Sequence, residues 1–201
     1  TLKAIEAEER GATAEEQEVL SRYVGWGGLP DAFDPDKSAW AAEYSELKEA
    51  LTPEEYDSAR GSVLNAHYTS PAVIRAVYEA LEHIGFQSGN ILEPSCGVGS
   101  FFGCLPESMA GSKLYGVELD SISGRIAKLL YPRAHITVAG FETTDRRDFY
   151  DLAVGDGPFR HYQGDDRAFN KLGSSTHHHF FAKALEPARP RGTLALLSPR
   201  H

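Results

Sequence analysis

Ile91-Leu-Glu-Pro-Ser-Cys-Gly-Val-Gly-Ser-Phe101 decides the fold. An apolar strand opening runs into an acid and then into a glycine-rich turn. Gly97 and Gly99 let backbone approach a ligand where a Cβ would intrude. A helix starting there would aim free N–H groups and its positive end at that ligand. This is the layout of a nucleotide or nucleoside cofactor site in an α/β sheet. The glycines at 97, 99 and 103 are spaced one residue too wide for the dinucleotide fingerprint, and nothing matches a P-loop.

Acids recur at the ends of the next strands. Lys113-Leu-Tyr-Gly-Val-Glu118 ends on Glu118, 19 residues after Gly99, near the usual interval for the acid that holds a ribose diol. His135-Ile-Thr-Val138 leads to Gly140-Phe141-Glu142. Successive parallel strands would set Glu93, Glu118 and Glu142 along one edge of a sheet, outside its carboxyl ends. Any one of them alone reads as a solvated loop acid; three in order favour a nucleoside ligand.

Outward from this core the chain keeps a βα rhythm. Ser70-Pro71 starts a helix with Val73, Ile74, Val77, Tyr78 and Leu81 on one apolar face. Strands are expected near 90–93, 114–118, 136–138, 151–155 and 193–197. Ile122, Ile126, Leu129 and Leu130 mark the helix between the second and third strands, and Phe180–Leu185 a helix before the fifth. The alternation predicts an α/β, doubly wound, mostly parallel Rossmann-like sheet with helices on both faces. Residues 1–64 read instead as an N-terminal helical arm, and 65–201 as the α/β domain. Thr13 with Glu16, and Thr52-Pro53 with Glu55, are capping-box starts. Gly25-Trp26-Gly-Gly then breaks the arm; Trp26 is a core anchor or, as a weaker alternative, a base-stacking ring.

The anchors Tyr23-Val-Gly-Trp-Gly-Gly-Leu-Pro30, Asn65-Ala-His-Tyr-Thr-Ser-Pro71, Ile91–Phe102, Leu114–Asp120, Ala139-Gly-Phe-Glu142 and Asp151-Leu-Ala-Val-Gly-Asp-Gly-Pro-Phe159 follow one another in fixed order. From about Tyr23 to the C-terminus they resemble the S-adenosylmethionine-dependent DNA methyltransferases that modify adenine N6. The resemblance is closest to the methylase region at the front of very large methylase–helicase proteins of phages and conjugative elements. It implies a methyltransferase sheet with S-adenosylmethionine as cofactor and double-stranded DNA with a flipped adenine as substrate. It also implies a downstream helicase-like region of the same parent chain as partner. Tyr68, Thr69 and Pro71 would flank the cofactor. Glu93, Cys96, Gly97 and Gly99 would form its methionine side, Glu118 would hold the ribose, and Phe141 and Glu142 would lie near the cofactor adenine. Asp156-Gly157-Pro158-Phe159 occupies the catalytic tetrapeptide, in which the second position is usually proline or, in close relatives, valine. The family's sheet ordinarily adds two further strands, so a chain stopping at His201 is expected to be truncated there and, as an isolated fragment, weak or inactive.

The chemistry suits those residue types. An adenine N6 amine is a poor nucleophile, because its lone pair is delocalised. A side-chain oxygen of Asp156 and the carbonyl of Gly157 could each accept one of its hydrogens and favour attack in line. Phe159 could stack on a base that has left the duplex. Gly157 keeps the carbonyl but loosens the loop. Arg160, His161, Arg167 and Lys171 are candidate phosphate contacts or an ordinary solvated loop.

Composition narrows the classes. The net charge of −9 belongs to the first 64 residues, with 15 acids and 6 bases; the remainder has 14 of each and shows no strong basic footprint. Cys96 and Cys104 suggest a reducing, cytoplasmic compartment. No apolar run is long enough for a membrane span, so no membrane partner is expected. His177–His179 is an unconvincing metal site, since adjacent side chains do not share a helix face. The alternatives left open are a degenerate module that keeps cofactor or DNA binding and, disfavoured by the glycine spacing, a nicotinamide oxidoreductase.

Overall fold

The computed structural model describes residues 1–63, 68–157 and 176–197. Five strands, β1 (Asn90–Glu93), β2 (Lys113–Glu118), β3 (His135–Val138), β4 (Tyr150–Asp156) and β5 (Ala188–Leu197), form one sheet in the order β3-β2-β1-β4-β5. Every adjacent pair is parallel. The chain order therefore reverses beside β1, with β2 on one flank and β4 on the other. A crevice opens outside the strand ends at such a point, and Glu93, Glu118 and Asp156 are the last residues of the three central strands.

Both faces of the sheet are covered, as a parallel sheet requires. On one, Ile74, Tyr78 and Leu81 of helix α5 (Pro71–His83) pack with Ile91, Leu152 and Val154. On the other, Leu92, Val117 and Ala153 pack with Phe141 and with Ala184 of helix α8 (Thr176–Leu185). Helix α7 (Ser121–Leu130) lies against β2 and β3 and buries Ile122 and Ile126 in a third cluster, shared with the N-terminal helices. Those are α1 (Leu2–Ala7), α2 (Ala14–Ser21), α3 (Ala41–Ala50) and α4 (Pro53–Ser62). Thr13–Glu16 and Thr52–Glu55 form complete capping boxes at α2 and α4, as their spacing predicts.

Four expectations need correction. β5 begins at Ala188 rather than 193: Tyr150 pairs with Ala188 and Leu152 with Thr193, so 189–192 form a bulge. Its Arg-Pro-Arg composition hid the strand, because proline is tolerated there only where the ladder is interrupted. The last helix starts at Thr176, not Phe180, so the backbone of His177–His179 is helical. Val73 is 43% exposed and leaves the apolar face of α5 to Ile74, Tyr78 and Leu81. The helix after the glycine loop, α6 (Ser100–Gly103), has only four residues. Its dipole is correspondingly small and the expected positive helix end contributes little.

Candidate functional site

Gly97 and Gly99 adopt φ +54° and +86°, left-handed values that side chains rarely take. Two rings press on this loop. A Cβ at Gly99 would lie 2.5 Å from the Tyr131 ring, and one at Gly97 would face Tyr68 at 3.8 Å. The loop is therefore an open cradle beneath Tyr68 and a packed wall against Tyr131. Gly103 is small for a related reason, since a Cβ there would sit 2.6 Å from the Tyr131 hydroxyl.

Glu93 lies at the floor, 2% exposed. Burial, with Glu118 nearby, pushes its carboxyl well above the usual range, and the Phe101 N–H only partly counters this. Its Oε2 is buried and has no hydrogen-bond partner among the described residues. A buried carboxylate oxygen left alone is costly and would be satisfied by an ammonium or amine donor.

Glu118 is differently held. Its Oε2 accepts from the Gly97 N–H at 2.7 Å and its Oε1 from the Asp120 N–H at 2.8 Å. It keeps some contact with solvent, yet dense surroundings raise its carboxyl to about 7; the backbone donors oppose that rise and Asp120 adds to it. The side chain thus ties the end of β2 to the glycine loop while its free lone pairs remain available to a diol.

Asp120, to which the sequence reading gave no role, anchors this rim. It caps α7 through Ser123, accepting from the Ser123 N–H at 2.9 Å and from its hydroxyl, and its other oxygen accepts from the Ser58 hydroxyl at 2.9 Å. Asp-Ser-Ile-Ser is a recognisable helix start, so its N-cap role was legible; its bond to α4 was not. Tyr68 lies over the rim near Glu118 and Asp120, within hydrogen-bonding reach of Ser123, and burial raises its phenol to about 12.

At β4, Asp156 Oδ2 accepts from the Thr69 hydroxyl at 2.6 Å. The upstream Tyr68–Pro71 segment therefore meets the strand end through Thr69, with Pro71 exposed in the first turn of α5. Gly157 follows directly, half-buried. Pro158, Phe159, Arg160, His161, Arg167 and Lys171 lie outside the described residues. Cys96 is buried at 3% exposure and its thiol is pushed well up by burial, then by Glu93 and Glu118, so it behaves as a small inert packing group. Phe141 packs in the core beside Leu92 and Val117. Glu142 folds over Gly140, where a Cβ would meet its carboxylate. These two sit at the end of β3, and Phe141 presents little surface to a ligand.

These carboxylate acceptors fit a nucleoside bearing an amine. A buried acid with one oxygen unpartnered among the described residues, a glycine cradle and a second acid on the adjacent strand converge at one sheet edge. Among the described residues no cluster of His, Cys, Asp and Glu could hold a metal ion, and no helix is long and apolar enough to cross a membrane.

No protein-family model matches the chain. It is similar to the Defense against restriction protein B of Escherichia phage P1, with 26% identity over 199 residues, 93% of this chain and 7% of that protein. It is also similar to the Type II methyltransferase M.CvrRI of Paramecium bursaria Chlorella virus XZ-6E, with 33% identity over 93 residues, 46% of this chain and 24% of that protein. The chain thus spans less than a quarter of the length of these curated relatives. Among solved structures it resembles a Listeria monocytogenes protein assigned to the class I S-adenosylmethionine-dependent methyltransferases, with TM-score 0.53 and 17% identity over 81% of this chain and 59% of that one. It also resembles a Pyrococcus horikoshii protein assigned as an RNA methyltransferase, with TM-score 0.50 and 13% identity over 88% of this chain and 70% of that one. Strand order, parallel register and these likenesses agree that the chain has the Rossmann-like fold of S-adenosylmethionine-dependent methyltransferases.

Proposed function

We propose that the chain is the methyl-transfer module of a larger mobile-element protein, with S-adenosylmethionine as cofactor and adenine N6 in DNA as acceptor. Residues 1–64 would serve as a helical arm, 65–201 as the catalytic domain, and a helicase-like region of the parent chain would deliver DNA. The observation that carries the reading is the meeting of Glu93, Glu118 and Asp156 at adjacent strand ends, with the glycine loop between the first two. When bound, S-adenosylmethionine supplies an electrophilic methyl group. Glu93 Oε2 would accept from the amino group of the methionine moiety, and Glu118 from the ribose hydroxyls. Asp156 and the Gly157 carbonyl would orient the adenine amine by accepting its hydrogens, so that its lone pair points along the transfer axis. Phe159 would stack on the flipped base, and Arg160, His161, Arg167 and Lys171 would neutralise phosphates.

The test is incubation of unmethylated DNA with labelled cofactor, followed by mass spectrometry of the nucleosides. N6-methyladenine that disappears with Asp156→Ala is expected; a methylated cytosine would overturn the substrate assignment. Turnover by the 201-residue chain is expected to be slow, because glycine at 157 loosens the loop that must position the amine. A second reading is favoured by the same place. Thr69 already occupies one oxygen of Asp156, which suits a module that binds cofactor without transferring its methyl group. Cofactor uptake with no labelled product from either DNA strand would select it.

A further inference from the structure

Among the described residues, the arm carries two buried polar atoms without a hydrogen-bond partner of normal geometry. The Tyr23 hydroxyl and the Trp26 indole N–H are buried atoms of half-buried side chains; they lie within reach of a weak mutual contact, and among the described residues neither makes a hydrogen bond of normal geometry. Buried phenol and indole donors nearly always find a partner. Both belong to Tyr23-Val-Gly-Trp-Gly-Gly28, where Gly25 and Gly28 take φ +63° and +82° and turn the chain after α2.

Their place matters. The groups whose charge acts on Tyr23 are Asp120, Tyr68 and Glu118, the rim described above. Trp26 stands edge-on to Phe33, ring centres 5.4 Å apart, and both Tyr23 and Trp26 pack on the cluster that contains Val98 of the glycine loop and Ile122 of α7. The arm is pinned at the same spot by Ser58, which donates to Asp120 and accepts from the Ser121 N–H at 3.1 Å. Two orphaned groups are thus held by packing beside the acid proposed to hold a ribose.

We propose that Tyr23 and Trp26 form the arm-side wall of the cofactor pocket and hydrogen-bond its ribose–adenine end. This deepens the proposed use of S-adenosylmethionine and rests on it. Indole N–H is a donor only, so its partner must be an acceptor, such as a ribose oxygen or a purine ring nitrogen. A phenol both donates and accepts, which suits a ribose hydroxyl shared with Glu118. Burial holds the Tyr23 phenol in its protonated, donating form. Asp120 is committed to the arm and to α7: the Ser58 hydroxyl donates to one of its oxygens, and the Ser123 N–H and hydroxyl both donate to the other.

Calorimetry with S-adenosylhomocysteine on the whole chain tests this, with Tyr23→Phe, Trp26→Phe and Glu118→Gln compared with the parent. Each arm variant is expected to bind roughly five- to tenfold more weakly. The unliganded Tyr23→Phe protein should melt no lower than the parent, because among the described residues the lost hydroxyl makes no hydrogen bond of normal geometry. In a Trp40→Phe background Trp26 is the sole indole, and its emission should respond to S-adenosylhomocysteine and to adenosine, not to homocysteine. Unchanged affinities with unchanged emission, in a parent that binds, would overturn the inference and point to an internal water between the two groups. Emission that responds to single-stranded DNA but not to adenosine would overturn it in favour of base stacking. A parent that binds no nucleoside would remove the proposed cofactor and this inference together.

Discussion

The sheet edge at Glu93 and Glu118 and the seam between the arm and α7 are both built from acids in partly or wholly buried settings, and they treat those acids in opposite ways. At the seam, Arg125 donates to both oxygens of Glu6 and, at 2.6 Å, to Glu55, whose other oxygen accepts from Lys3 at 2.8 Å and from the Thr52 N–H at 2.9 Å. Burial would raise the Glu55 carboxyl, but Lys3, the Thr52 N–H and Arg125 outweigh it and hold it at about 2. At the sheet edge the same chemistry is left open: Glu93 has a bare oxygen and Glu118 is raised to about 7. A saturated network is joinery, whereas acids kept short of cations are a place for a cationic ligand.

The largest test of this contrast is Glu93→Gln. It removes the charge but keeps the shape, and cofactor affinity should fall by about 4 kcal/mol, near a thousandfold, on the scale of truncating a buried charge pair. The unliganded variant should gain roughly 1 kcal/mol at pH 8, since no dry carboxylate remains to be ionised. Binding by calorimetry and melting by scanning fluorimetry would read the two opposite signs. A protein that loses both stability and affinity would place Glu93 with the joinery.

Gly99→Ala probes the cradle. The methyl group meets the Tyr131 ring at 2.5 Å and the backbone is at φ +86°, so a loss of about 3 kcal/mol in unfolding free energy is expected. Denaturant titration measures it; a neutral result would mean that Tyr131 moves freely and that the wall is soft.

Arg125→Ala breaks the seam and should cost about 2 kcal/mol, between exposed and buried ion pairs, because Arg125 keeps 25% of its side chain exposed. The pH dependence separates the two regions further. Glu55 is depressed from 4.5 to about 2, so its contribution is complete above 4.5 and is lost as pH falls through 2. Glu118 is raised from 4.5 to about 7, so its contribution is complete below 4.5 and is lost as pH rises through 7. Melting temperature against pH should therefore fall at both ends. Arg125→Ala should flatten the acid limb and Glu118→Gln the alkaline one; exchanged effects would reverse the assignment of the two regions. The smallest effect is Thr13→Ala at the exposed capping box of α2, about 1 kcal/mol by thermal unfolding, with cofactor affinity untouched.

What the sequence determined by itself was local. Capping boxes, the apolar stripes of α5 and α7, the glycine turn and the acids at strand ends are fixed by neighbours a few residues apart, and the α/β reading follows from their alternation. The bulged start of β5 escaped because charge and proline mask a strand whose pairing is set by a partner some forty residues away. Only the tertiary structure could decide which acids are saturated. Nothing in Glu55, Glu93 or Glu118 distinguishes them as letters. Arg125, 70 residues from Glu55, reaches one of them, and two backbone N–H groups reach another. For Glu93, burial leaves one oxygen with no donor among the described residues. The ionisation and partners of a carboxylate depend on what packs within a few ångströms of it, and that is a property of the assembled chain.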